Sequence, residues 1–64
     1  MENIEESFQK AAKWAQNKGF MIVFEHNGHN NISFDDMIIT INASEGPETR
    51  LFSLLHECGH VLVC

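Results

Sequence analysis

Near the amino terminus, apolar residues recur at helical spacing: Ile4, Phe8, Ala11, Ala12 and Ala15 share one stripe, and Trp14 widens it. Asn3 stands where an N-cap belongs, with Glu6 three residues on as its capping-box partner. Acidic residues occupy the first turn and Lys18 the last, as the helix dipole favours. Gly19 supplies a stop. The pattern predicts a helix over about residues 4–18.

The period then changes. FMIVFEH (20–26) is β-branched and aromatic and reads as a strand, and the NGHNN that follows (27–31) is turn chemistry, with Asn27-Gly28 a hairpin signal. NISF (31–34) gives a short second strand that turns at Asp35-Asp36. MIITIN (37–42) alternates, with Met37, Ile39 and Ile41 on one face. ASEGP (43–47) breaks it, and Pro47 suits the first turn of a helix running from there to the end. The expected fold is α+β: an N-terminal helix, a small antiparallel sheet of two to three strands, and a C-terminal helix, in a single domain over 1–64. Both helices are expected on the same sheet face, over a core of Phe8, Ala12, Trp14, Ile39, Leu51, Leu55 and Leu62.

The last helix carries the chemistry. At about 100° per residue, Leu55, Cys58 and Leu62 fall close to Leu51, with Leu54 and Val61 beside them, which predicts a core face there. His56, His60, Ser53, Cys64 and Glu57 gather on the remaining sector. His56-Glu57-Cys58-Gly59-His60 is a His-Glu-x-x-His motif. On a helix its histidines lie one turn apart on one face, close enough to hold one metal ion. Glu57 lies to their side, where it reaches a water rather than the metal. The expected assignment is His56 and His60 as Zn²⁺ ligands and Glu57 as catalytic base.

Other candidates are weaker. His26 and His29 flank the Asn27-Gly28 turn and read as solvated turn residues. Cys64 lies about 12 Å along a straight helix from His56, too far for one ion to bridge it with both histidines. Cys58 reads as a small hydrophobe, Asp35 and Asp36 as turn residues, and Glu2, Glu5 and Glu6 as a dipole complement on a solvated face.

Composition narrows the function classes. Net charge is −5, and the cations Lys10, Lys13, Lys18 and Arg50 are scattered. A basic footprint for nucleic acid is absent, and an anionic membrane surface is a poor partner. The acidic, polar MENIEESFQK is wrong for a signal peptide, and no apolar run approaches the roughly 20 residues that span a bilayer. Cys58 and Cys64 would sit about 9 Å apart on one helix, beyond disulfide reach. Reduced thiols and a cytoplasmic location are therefore expected. A domain of 64 residues buries only about 60% of its unfolded surface, so its stability is marginal without metal or partner.

MIITINASEGPETRLFSLLHECGHVLV (37–63) resembles the ImmA/IrrE-like zinc metallopeptidases of bacteria, phages and mobile elements. The shared pattern is a strand ending in Asn42, a short loop, Arg50 and Phe52, then His56, Glu57, Gly59 and His60. Cys58 stands where that family usually has Leu. The resemblance implies a zincin-like half domain with an active-site helix, and an edge strand that aligns a protein or peptide substrate, often a regulatory protein. It carries over His56 and His60 as ligands and Glu57 as base; the family's third ligand is an acid on a later helix.

The last helix stops inside an apolar run with no cap after Val63, so the chain is expected to be the N-terminal part of a longer enzyme. Two readings stay open. One is a zinc-dependent metallopeptidase, with a homo-oligomer as one way to complete the site. The other is a non-catalytic protein-binding module with a vestigial two-histidine site.

Overall fold

The structure is a computed structural model and describes residues 3–26 and 29–63. Helix α1 spans Ile4–Asn17. The Asn3 side chain accepts a hydrogen bond from the Glu6 N–H at 2.7 Å, the predicted N-cap. At the other end Lys18 takes the C-cap position, and Gly19 adopts a φ of +97°, which ends the helix where a side chain would be strained.

Strands β1 (Met21–Glu25), β2 (Asn31–Ser33) and β3 (Ile38–Asn42) form one sheet, followed by helix α2 (Pro47–Val63). The predicted α+β architecture is present, with Pro47 opening α2 as expected. The sheet is mixed, however, rather than antiparallel throughout. Its order is β1-β3-β2, with β1 parallel to β3 (Met21 opposite Ile38) and β2 antiparallel to β3 (Ile32 opposite Ile39). The hairpin expected between β1 and β2 does not form, because β3 lies between them. Asn27 and Gly28 themselves lie outside the described residues. A parallel pair needs a crossover connection, and here the chain from Glu25 to Ile38, β2 included, provides it. Asp35-Asp36 does turn β2 into β3. The Asp36 N–H donates to Ser33 Oγ at 3.2 Å, and Met37 completes the turn with a left-handed φ of 59°.

Both helices pack on one face of this sheet: α1 against β1, α2 against β3, and each against the other. The core between them is Ala15, Phe20, Ile39, Ile41, Leu54 and Cys58, flanked by half-buried Phe8, Ala12 and Trp14. Ile39 and Ile41 alternate inward from β3 as predicted, but the expected core face of α2 is corrected. Leu54 is fully buried, whereas Leu55 is 48% and Leu62 72% exposed. Helix α2 is rotated so that Leu54, Glu57, Cys58 and Val61 face inward. Its apolar arc is wide enough to offer two seatings, and this one sets Leu54 and Cys58 among Ala15, Ile39 and Ile41.

Candidate metal centre

The rotation of α2 decides how the motif is presented. Glu57 turns to the protein side and is only 4% exposed, while His56 and His60 stay at the surface one turn apart. Their rings cross nearly at right angles, with centroids 4.9 Å apart, and the two Nε2 atoms approach to 3.3 Å. Glu57 Oε1 lies 3.8 Å from His60 Nε2. One ligand atom from each of the three residues falls within 4.8 Å of the others, so His56, Glu57 and His60 form a group that can hold a metal ion.

The donor set fits such an ion. Two nitrogens bound tetrahedrally at about 2.0–2.1 Å sit about 3.3 Å apart, which is the separation these imidazoles already have. The carboxylate beside them is nearly out of solvent, and burial of that kind is costly unless a positive charge or donor offsets it.

The remaining sequence candidates do not join this group. His26 and His29 are exposed, and neither belongs to the cluster. Cys64 lies outside the described residues. Cys58 faces the core as a free thiol, as predicted. Burial pushes its pKa up and the adjacent Glu57 carboxylate pushes in the same direction, so it is a poor thiolate. Asp36 serves its turn, accepting from the Ser33 hydroxyl at 3.3 Å.

Sequence reasoning missed Asn30. Its Nδ2 donates to Ser53 Oγ at 2.8 Å, and its Oδ1 accepts from the Asn42 N–H at 2.9 Å. Ser53 precedes His56 by three residues and Glu57 by four, so Asn30 pins the chain entering β2 to the metal-centre side of α2. The Asn-rich NGHNN stretch was the only signal, and it reads equally well as turn chemistry. No helix of the described residues is long and apolar enough to cross a membrane. Among known proteins, no family model matches the chain, and neither a curated protein nor a solved structure matches it.

Proposed function

We propose that the chain carries the metal-binding and proton-transfer residues of a zinc-dependent metallopeptidase. The observation that carries this reading is the convergence of His56 Nε2 and His60 Nε2 to 3.3 Å beside an almost fully buried Glu57. His56 and His60 are the zinc ligands. When bound, zinc supplies a Lewis acid that polarises the scissile carbonyl and lowers the pKa of the attacking water. Glu57 takes the proton from that water and hands it to the leaving amine.

Catalytic zinc sites ordinarily have three protein donors, and the two histidines provide two of them. The third is assigned to a second copy of the chain or to further sequence of the same protein. The substrate is a protein or peptide in extended form, of the regulatory kind that the ImmA/IrrE resemblance implies. Strand β2 lies at an edge of the sheet with its start tied to α2 through Asn30 and Ser53, which suits strand addition beside the metal centre. The free Cys58 supports a reducing, cytoplasmic setting.

The test is zinc content and hydrolysis of an unfolded protein substrate, measured on the protein as it occurs in the cell and on Glu57→Gln. The variant should keep its zinc and lose hydrolysis by about 100-fold or more. Full hydrolysis by Glu57→Gln would remove Glu57 from the catalytic role, and a zinc-loaded wild type that hydrolyses nothing would leave the non-catalytic module standing.

A further inference from the structure

Away from the metal centre, a cavity of about 310 Å³ opens between the start of α1, the end of β1 and the first turn of α2. Such a volume falls at the lower end of small-ligand pockets, about 300–1,000 Å³. Its walls are Ile4, Phe8, Phe24 and Pro47, and the Phe8 and Phe24 rings stack with centroids 5.8 Å apart. Arg50 also lines it. The Arg50 Nε atom is buried and has no hydrogen-bond partner. A buried, unpaired donor on a charged group is costly and rare in native proteins, so a small turn of the Arg50 side chain that brings Nε onto an acceptor in the cavity is favourable.

We propose that this cavity binds a small apolar monocarboxylate, with the hydrophobic body against Phe8 and Phe24 and the carboxylate on the Arg50 guanidinium. The planar guanidinium pairs with a carboxylate through two parallel hydrogen bonds, and a small turn of the side chain would bring Nε into one of them. Glu5 lines the same cavity and is exposed. Its negative charge disfavours dicarboxylates and phosphates more strongly than a singly charged acid. None of His56, Glu57 or His60 contributes to this cavity, so the site stands or falls independently of the peptidase reading.

The experiment is a titration of the metal-free chain followed by amide chemical shifts, with 3-phenylpropionate, its primary amide and acetate as probes. The acid should saturate, shifting signals around Phe8, Phe24 and Arg50, at least about tenfold more tightly than the amide or acetate. Arg50→Met should abolish that preference with the circular dichroism spectrum unchanged, and Arg50→Lys should keep only part of it. A short peptide ending in Phe, with its carboxylate free or amidated, distinguishes the source of the ligand. Tighter binding of the free-acid peptide than of 3-phenylpropionate assigns the carboxylate to a peptide end, and weaker binding assigns it to a small molecule. Equal binding of acid and amide, undiminished binding by Arg50→Met, or shifts that never saturate would overturn the proposal.

Discussion

His56 Nε2 and His60 Nε2 meet at 3.3 Å, their rings crossed at 87°. Helical spacing alone leaves the Cβ atoms of such a pair about 5–6 Å apart, so the side-chain rotamers complete the convergence. In the metal-free chain, one imidazole N–H can donate to its neighbour across this gap. A metal ion would replace that shared hydrogen.

Glu57 sits where a core residue would otherwise be, and the role proposed for it and its contribution to stability should pull apart. Removing a nearly buried carboxylate relieves a desolvation cost. Glu57→Met is expected to raise metal-free stability by about 1 kcal/mol while abolishing proton transfer. Urea unfolding of the two forms is the check. A lower midpoint for Glu57→Met would mean that the carboxylate is satisfied in the folded state.

The seating of α2 is tested by two leucines. Leu54→Ala removes a fully buried side chain and should cost about 2–5 kcal/mol. Leu62→Ala alters a side chain that is 72% exposed and should stay within about 0.5 kcal/mol. Comparable losses from the two substitutions would show that the helix buries its other face.

Asn30 ties the entry of β2 to both Ser53 and Asn42, through side-chain bonds that are solvent-exposed. Their loss should cost only about 1 kcal/mol. The local effect should be larger: in Asn30→Ala, amide hydrogen exchange at Asn42 should quicken while exchange at the buried Ile39 and Ile41 stays slow. Unchanged exchange at Asn42 would show that its N–H is held by another partner.

The parts of this fold that were legible in the sequence are those set by local chemistry. Asn3 capping α1, Gly19 ending it, Pro47 opening α2 and the alternation of Ile39 with Ile41 each follow from one residue's own conformational or burial preference. Strand order was not legible in this way. Asn27-Gly28 suggested that β1 and β2 pair, yet β3 takes the place between them, and Asn30 makes its long-range bonds only once that arrangement exists. The rotation of α2 was hidden for a related reason. Its apolar arc includes Leu51, Leu54, Leu55, Cys58 and Leu62, and only the packing against α1 and β3 selects among them. The adjacency of His56 and His60 was readable from their spacing. The burial of Glu57 followed from the helix rotation and was not.

His56 and His60 are proposed to hold one metal ion together, through their Nε2 atoms. Imidazole nitrogen chemical shifts of the ¹⁵N-labelled chain, followed through a zinc titration, report on each ring separately. The Nε2 signals of His56 and His60 should move together and reach a common end point while those of His26 and His29 stay in place. Movement at His26 or His29 in their stead, or an end point for one of the pair without the other, would contradict it.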